Sequence, residues 1–214
     1  TVMILLNALC FDGKWSEGYS SGDCENETFH GANGDRTVRM MYCDGDRYLY
    51  GPNETGFIKY YDGKYAFVAL LPNRNMSLEK YLDSLNGDRF LSLLTIRSGT
   101  VRTGLPKFES DWSGSLKPAL TELGMNAAFG DGADFSGMAD LDTLKIGSVI
   151  HKTHIEVDES GTKAAAATAV GMYYESAPSS GPDYVVVLDR PFVYAIIDTE
   201  AKLPVFIGSI ADIS

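Results

Sequence analysis

One stretch of the sequence allows two different local folds, and its flanks favour one of them. Residues 158–169 read DESGTKAAAATA, and the alanine run favours a helix because alanine loses the least conformational freedom on entering one. Residues 148–158, SVIHKTHIEVD, are β-branched and alternating, which is typical of a strand. Residues 176–183, SAPSSGPD, are typical of a surface loop. A strand that continues into small residues and a polar loop is a segment that could change its pairing partner.

The alternation within residues 162–174 predicts the two faces of such a strand. One face would carry no charge, and its members are Thr162, Ala164, Ala166, Thr168, Val170, Met172 and Tyr174. The other face would carry Lys163 among small residues. This pattern indicates one buried and one solvated side, and the small residues would let the segment enter between existing strands. The pattern alone leaves an alanine-rich helix or linker open as the alternative.

Composition and charge exclude several classes of partner. The chain has 214 residues, 44% of them hydrophobic, and can bury the core of one domain. Its formal net charge is −11, without a basic run, so we expect no nucleic-acid or anionic-membrane partner. The apolar run at residues 2–11 is broken by Asn7 and is too short to span a bilayer. It predicts a strand covered on both faces, and because the chain opens inside it we expect a further N-terminal portion.

The remaining patterns predict a β-rich chain of the α+β class. Strands are predicted at 1–11, 37–41, 47–50, 57–61, 64–71, 100–109, 149–157, 184–188, 192–198 and 205–209, and helices at 77–85, 88–94 and 115–123. Asp62-Gly63 and the Cys43–Asp46 segment are each predicted to close a hairpin. The three cysteines, Cys10, Cys24 and Cys43, have no CxxC or metal spacing and indicate neither a disulfide framework nor a metal site.

The histidines give little support for catalysis. His151 and His154 lie three apart, which on a strand places them on opposite faces. His151 shares its face with apolar residues and is predicted to be a satisfied core histidine rather than a catalytic base, while His154 is predicted to be solvated. The chain has no G-x-S-x-G or H-E-x-x-H motif, so nothing in these residues argues for an enzyme, although they do not exclude one, and a distinct hydrolase stays open as the least favoured alternative.

Several motifs together resemble those of the serpins, the serine protease inhibitor family. DESGTKAAAATA resembles the serpin reactive-loop hinge, and the others, in the family's order, are LLNALCFDGKW (5–15), MMY (40–42), LPKF (105–108), LGMNAAF (123–129), ADFSGM (133–138), VIHKTHIEVDESGT (149–162) and DRPFVYAI (189–196). The resemblance covers nearly the whole chain. It implies that residues 1–214 form the C-terminal portion of one multi-sheet serpin domain, a partial fold lacking the N-terminal helical part, with hinge and exposed reactive loop at 158–190.

The resemblance also implies a function. The expected activity is suicide-substrate inhibition: a serine protease, or alternatively a cysteine protease, attacks the loop and is trapped as the acyl-enzyme when the cleaved loop inserts into the central sheet. The alternative is a non-inhibitory serpin, a carrier, chaperone or storage protein whose loop is cleaved without trapping. No cofactor is expected. The expected location is extracellular, with an intracellular location as the alternative.

Finally, the resemblance assigns roles to particular residues. Asn7 and His151 match a polar pair, the shutter, where the two strands that flank the insertion site part. Trp15 matches an aromatic residue at the top of the sheet, and Lys107 and Glu159 match an ion pair beside it. The hinge residues are Glu159, Gly161, Thr162, Ala164, Ala165, Ala166, Ala167 and Thr168. The reactive bond is expected between Glu175 and Ser176, with Tyr174 and Ala177 as alternative specificity residues.

Overall fold

A computed structural model describes residues 2–138, 144–162 and 181–213. The strands are β1 (Val2–Cys10), β2 (Gly13–Lys14), β3 (Cys24–Gly31), β4 (Gly34–Gly45), β5 (Tyr48–Tyr50), β6 (Glu54–Tyr60), β7 (Tyr65–Pro72), β8 (Val101–Pro106), β9 (Phe108–Ser115), β10 (Lys145–Val157), β11 (Gly161–Thr162), β12 (Tyr184–Val187), β13 (Phe192–Asp198) and β14 (Leu203–Ile210). The α-helices are α1 (Leu78–Ser84), α2 (Gly87–Leu93) and α3 (Lys117–Glu122). Strands dominate the described residues, which confirms the predicted α+β class.

The chain divides into two compact units. The first comprises Thr1–Cys10 and Ser110–Ile155, and the second comprises Phe11–Glu109 and Glu156–Ser214. In the first unit β1 runs parallel to β10 in continuous pairing, from Val2 opposite Lys145 to Cys10 opposite His154, with one irregularity after Met3. The two strands expected to flank an insertion site are therefore hydrogen-bonded directly to each other.

Strand β1 differs from its prediction in burial. Ile4 and Leu6 are 63% and 69% exposed, and Leu5 and Leu9, which point to the opposite face, are each 40% exposed. A strand with apolar side chains on both faces was predicted to be covered on both, and within the described residues it is not. The apolar pattern predicts the strand correctly, but it does not indicate which other parts of a protein cover the faces of that strand.

The second unit contains two further sheets. Their strand orders are β12-β8-β4-β3 and β14-β13-β7-β6-β5. Strands β7 and β13 are central in the second sheet and are buried along most of their length, as their unbroken apolar sequences require. Tyr81, Phe90 and Leu93 of the two helices α1 and α2 join these strands in one hydrophobic cluster. The core of the second unit is therefore continuous from sheet to helices.

The two predicted hairpins have different outcomes. Strands β6 and β7 pair antiparallel across Asp62-Gly63, and Gly63 has the positive φ of 91° that such a turn needs. The hairpin predicted around Cys43–Asp46 is wrong, because β4 pairs with β3 and β8 whereas β5 pairs with β6 in another sheet. The true partner of β4 is joined to it through a turn at Gly31–Gly34. That partner, β3, escaped prediction because only Cys24 and Phe29 of its eight residues are buried.

Helices α1 and α2 each begin at a residue whose side chain caps the first turn. The Ser77 hydroxyl accepts a hydrogen bond from the Lys80 backbone N–H at the start of α1, as predicted, and the Asn86 side chain caps α2 in the same way through Arg89. Helix α3 is followed by Gly124, whose φ of 97° ends it. In the described part of the chain, no helix is both long enough and apolar enough to cross a membrane.

Candidate functional site

The chain reverses direction directly after β10 in a tight turn. The Asp158 carboxylate accepts hydrogen bonds from the backbone N–H groups of Ser160, at 2.7 Å, and Gly161, at 3.1 Å. The Asp158 N–H donates to the Gly161 carbonyl at 2.9 Å and closes the turn. Gly161 has a φ of 155°, and a Cβ there would lie 2.1 Å from the carbonyl oxygen of Gly13. Only glycine fits this position, which explains the glycine of the hinge motif.

The turn leads into β11, where Gly161 and Thr162, the first small residues of the predicted hinge, form a strand. Thr162 pairs antiparallel with Val157 of β10 on one side and with Gly13 of β2 on the other. Its side chain is fully buried, and its hydroxyl forms a 2.6 Å hydrogen bond with the Tyr61 hydroxyl. Burial keeps the pKa of Tyr61 above its usual value, although the bond to Thr162 acts to lower it, so the phenol stays neutral. Thr162, the first residue of the predicted buried face, is buried, and the other members of that face lie outside the described residues.

Trp15 braces this turn. Its indole ring is 4% exposed and stacks on the Tyr61 ring, with centroids 4.3 Å apart and planes 11° from parallel. The indole N–H donates to the Asp158 carbonyl at 2.9 Å, and the Trp15 backbone N–H donates to the Ser160 carbonyl at 3.0 Å. The Tyr19 backbone N–H donates to the Glu159 carbonyl at 2.9 Å. Three successive carbonyls of the turn are thus held by the segment that follows β2.

Lys107 and Glu159 form the ion pair that their matching motifs suggested. The Lys107 ammonium lies 2.8 Å from a Glu159 carboxylate oxygen, and both side chains are partly exposed. The hydrogen bond to Glu159 raises the pKa of Lys107. Burial acts to raise the pKa of Glu159, but the Lys107 hydrogen bond, the residue's own backbone N–H and the charges of Lys107 and Arg39 outweigh it, so the net shift is downward. Both shifts favour the charged pair at neutral pH.

The pH dependence of this pair gives a prediction. Because the folded-state pKa of Glu159 is lowered, its contribution is present above the unfolded value of about 4.3 and is lost as pH falls below it. The raised pKa of Lys107 keeps the contribution intact up to about pH 10. We therefore expect the unfolding free energy of wild type to exceed that of Glu159→Gln between about pH 5 and 10, and the difference to disappear near pH 3. Urea unfolding at several pH values would measure it, and a difference unchanged at pH 3 would contradict the pair's role.

Asn7 and His151 face each other across β1 and β10. The Asn7 side-chain nitrogen lies 3.1 Å from His151 Nδ1, and because an amide nitrogen can only donate, Nδ1 is the acceptor of this hydrogen bond. His151 is bonded as predicted, but it is half-buried rather than a core residue. His154, predicted to be solvated, has a ring that is 32% exposed, and its Nδ1 lies 2.9 Å from an Asp111 carboxylate oxygen. The alternation placed both rings on the correct faces but did not show the partners that face them.

The hydrogen bond between Asn7 and His151 is partly exposed, so its loss should be modest. We expect Asn7→Ala and His151→Ala each to lower the unfolding free energy by about 0.5–1.5 kcal/mol. The double variant should lose less than the sum of the two, because both single changes remove the same bond. Urea unfolding of the four proteins measures this coupling, and strict additivity would show that the bond contributes nothing to stability.

The remaining predicted site residues cannot be compared with the fold. Those outside the described residues are Ala164, Ala165, Ala166, Ala167, Thr168, Tyr174, Glu175, Ser176 and Ala177. The described ones form two groups: Trp15, Lys107, Glu159, Gly161 and Thr162 lie in the second unit, and Asn7 with His151 in the first.

Two residues of the turn and its surroundings, Asp158 and Tyr61, were not predicted from the sequence. An aspartate ahead of a glycine is a recognisable turn signal, whereas Tyr61 is 101 residues from its partner and carries no local signal.

Comparison with known proteins agrees with the motifs. The family model described as Serpin (serine protease inhibitor) matches residues 1–213. An uncharacterised serpin-like protein of Thermococcus kodakarensis is 31% identical over 97% of this chain and 49% of its own length. An α1-antitrypsin homologue of Cyprinus carpio is 33% identical over 99% of this chain and 57% of its own length. The chain thus spans about half the length of the curated relatives it matches.

Solved structures lead to the same family. The native state of the thermophilic serpin tengpin superposes with a TM-score of 0.87 at 37% identity, over 98% of this chain and 55% of that one. Its latent state superposes with a TM-score of 0.77 at 33% identity, over 95% of this chain and 55% of that one. With the family model matching almost every residue, this chain belongs to the serpin family.

Proposed function

We propose that the whole protein to which this chain belongs inhibits serine proteases by the trapping mechanism: the protease cleaves the loop, and the cleaved loop inserts beside β10. The observation that carries the proposal is β11. The hinge is already strand at Gly161–Thr162, paired with β10 and held by a closed turn. Residues 158–190 would then serve as hinge and reactive loop within one serpin domain.

The register of β11 supports a definite course for insertion. Thr162 stands opposite Val157, so a strand continued from Thr162 would run antiparallel along β10 toward its start. Ala165 would come opposite His154, and Thr168 opposite His151. These two positions now pair with Cys10 and Asn7 of β1. Insertion on that side of β10 therefore requires β1 to leave β10, and it breaks the Asn7–His151 hydrogen bond on the way.

The length of β10 supports the assignment of the reactive bond. Counted residue for residue to the start of β10, the same register brings Tyr174 opposite Lys145, and a bulge like the one that β10 shows against β1 near Ile146 would shift this by one residue. Glu175 is then the first residue beyond the ladder. A bond cut between Glu175 and Ser176 would free the whole segment that β10 can pair, with the trapped protease attached just past its end. A glutamate at this position suits a protease with a basic specificity pocket, whereas Tyr174 would suit a chymotrypsin-like and Ala177 an elastase-like enzyme.

Incubation of the whole protein with a panel of serine proteases tests the proposal. We expect an SDS-stable complex with a protease of acidic specificity, and a released fragment whose mass places its first residue at Ser176. The heat stability of the cleaved inhibitor should rise, because insertion adds a strand to the sheet. Cysteine proteases in the same panel test the alternative target class.

Other results would separate the competing functions. Cleavage of the loop without a stable complex or a gain in heat stability would overturn trapping and favour a carrier, chaperone or storage role. The hydrolase alternative would require that the protein itself hydrolyses a substrate with turnover, and that His151→Ala abolishes this activity. A fragment starting at Glu175 or Pro178 would move the reactive bond to Tyr174 or Ala177 without affecting the proposal of trapping.

The exposed faces of β1 bear on the rest of the protein. We propose that in the whole serpin a further N-terminal portion covers the exposed leucines and isoleucine of β1. Trapping is expected only of the whole protein, because β1 needs a covering surface over which it can move when it separates from β10.

Secretion stays a prediction, with an intracellular location as the alternative. One relative, from Tachypleus tridentatus, is named an intracellular coagulation inhibitor.

A further inference from the structure

A thiol, an amine and two hydroxyls meet in the second unit, close to the segment that braces the hinge. Cys43 of β4 lies opposite Thr103 of β8, and its sulfur is 3.2 Å from the Thr103 hydroxyl oxygen. The Thr103 hydroxyl donates to the Cys43 carbonyl at 3.0 Å, so it accepts the thiol proton rather than giving its own. The Lys59 ammonium, from β6, donates to the same sulfur at 3.6 Å. Cys43 itself is only partly buried and stays accessible to a small reagent.

A buried hydroxyl that lacks a short hydrogen bond completes the cluster. Tyr19 is 6% exposed, and apart from a long contact with the Cys43 sulfur no described atom meets the geometry of a hydrogen bond to its hydroxyl oxygen. Burial and then the neighbouring Cys43 thiol raise the pKa of Tyr19, so the hydroxyl is a neutral donor beside the sulfur. The Lys59 ammonium also lies 4.2 Å from the Tyr19 ring centroid. An orphaned buried donor is costly, and its presence beside a thiol points to an acceptor that the thiol could gain.

We propose that Cys43 is a site of reversible oxidation by hydrogen peroxide, with Lys59 and Tyr19 holding the product. The Cys43 thiol gives up its proton, the thiolate attacks one peroxide oxygen, the O–O bond breaks, and the departing hydroxide takes up a proton to give water. Sulfur loses two electrons and becomes sulfenic acid, while peroxide is reduced. The new oxygen supplies the acceptor that the Tyr19 hydroxyl lacks, and the Lys59 ammonium stabilises the thiolate that attacks. This chemistry does not depend on protease trapping.

The other two cysteines provide internal comparisons. Cys24 is buried, and burial followed by the charge of Glu159 raises the pKa of its thiol, which disfavours the attacking thiolate. Cys10 is exposed. If access alone governed oxidation, Cys10 would react first and Cys24 last. The cluster around Cys43 predicts instead that the partly buried Cys43 reacts ahead of both.

The test uses the full chain, hydrogen peroxide and dimedone as a trap for sulfenic acid, with adducts mapped by mass spectrometry of peptides. We expect the Cys43 adduct to form about tenfold faster than the Cys10 adduct, and Lys59→Met to remove most of that advantage while leaving Cys10 unchanged. Lys59→Arg, which keeps the charge, should retain it. Tyr19→Phe should leave formation intact but let more Cys43 pass on to sulfinic acid, because the product loses its donor.

Several results would overturn the proposal. One is labelling led by Cys10, and another is a Cys43 rate that Lys59→Met does not change. An unfolded variant would reveal itself through labelling of Cys24, which is protected in the fold. In that event the comparison rests on Tyr19→Phe: equal onward oxidation of Cys43 in this variant and in wild type would show that the buried hydroxyl does not hold the product.

Discussion

Under the proposed trapping mechanism, replacing Ala166 with arginine in the whole protein is expected to favour cleavage of the loop over trapping of the protease. Ala166 lies on the same predicted face as Thr162, whose side chain is completely buried. On insertion the arginine would have to enter the sheet's interior without a partner, at a cost of several kcal/mol. Cleavage precedes insertion and should proceed normally. We therefore expect the yield of SDS-stable complex to fall by about tenfold or more, since each 1.4 kcal/mol of slowed insertion is a factor of ten against deacylation.

The matched control is Ala165→Arg. This residue is on the opposite predicted face, which it shares with Lys163, so the arginine would stay in solvent and most of the complex should survive. Gel quantification of complex and cleaved inhibitor gives the partition for both variants. Equal loss in the two would contradict the predicted faces of residues 162–174, and no loss in either would contradict insertion itself.

Replacing Tyr61 with alanine is expected to have the largest effect on stability. Tyr61 is 2% exposed, stacks on Trp15 and bonds the Thr162 hydroxyl, so its removal leaves a cavity beneath the turn as well as a buried unpaired hydroxyl. Truncation of a buried aromatic side chain costs about 3–5 kcal/mol. We expect a loss of that size in the unfolding free energy, measured in urea, together with faster proteolysis at residues 158–162 in the folded protein.

Tyr61→Phe separates the two contributions. It keeps the ring that stacks on Trp15 and removes only the hydroxyl, so Thr162 loses its partner while the cavity stays filled. We expect a cost of about 1–3 kcal/mol. A phenylalanine variant as unstable as the alanine variant would show that the hydrogen bond, and not the packing of the ring, supports the turn.

Local pattern predicted most elements of this fold because local rules determine them. The Ser77 cap, the Asp62-Gly63 turn and the alternation of β10 each depend on residues a few positions apart. Strand β3 was not predicted because most of its side chains are exposed, so its sequence does not alternate between apolar and polar residues. The hairpin at Cys43–Asp46 was predicted wrongly because strands that are neighbours in sequence were assumed to be neighbours in a sheet. Pairing between distant strands follows from packing, which pattern does not contain.

The candidate site divides in the same way. Small residues marked the segment that is predicted to be the hinge, and its Gly161 has a physical reason that the sequence alone does not show, namely its close approach to Gly13. The partners of Thr162 and Asp158, by contrast, come from Tyr61 and Trp15, far away along the chain. Similarly, the face of His151 could be predicted but its depth could not, because depth depends on what covers the strand.

The turn at Asp158–Gly161 also has a kinetic consequence. Zippering of a strand normally begins with an unfavourable nucleation step, the closure of a loop that brings its first residues into register. Here that nucleus exists before any bond is cut, since Thr162 is already hydrogen-bonded on both sides. Growth would then be limited by how fast β1 unzips from β10. Lengthening the chain beyond Ser176 should leave the rate of insertion, relative to the rate of deacylation, unchanged. Weakening the hydrogen bonds between β1 and β10 should raise the rate of insertion.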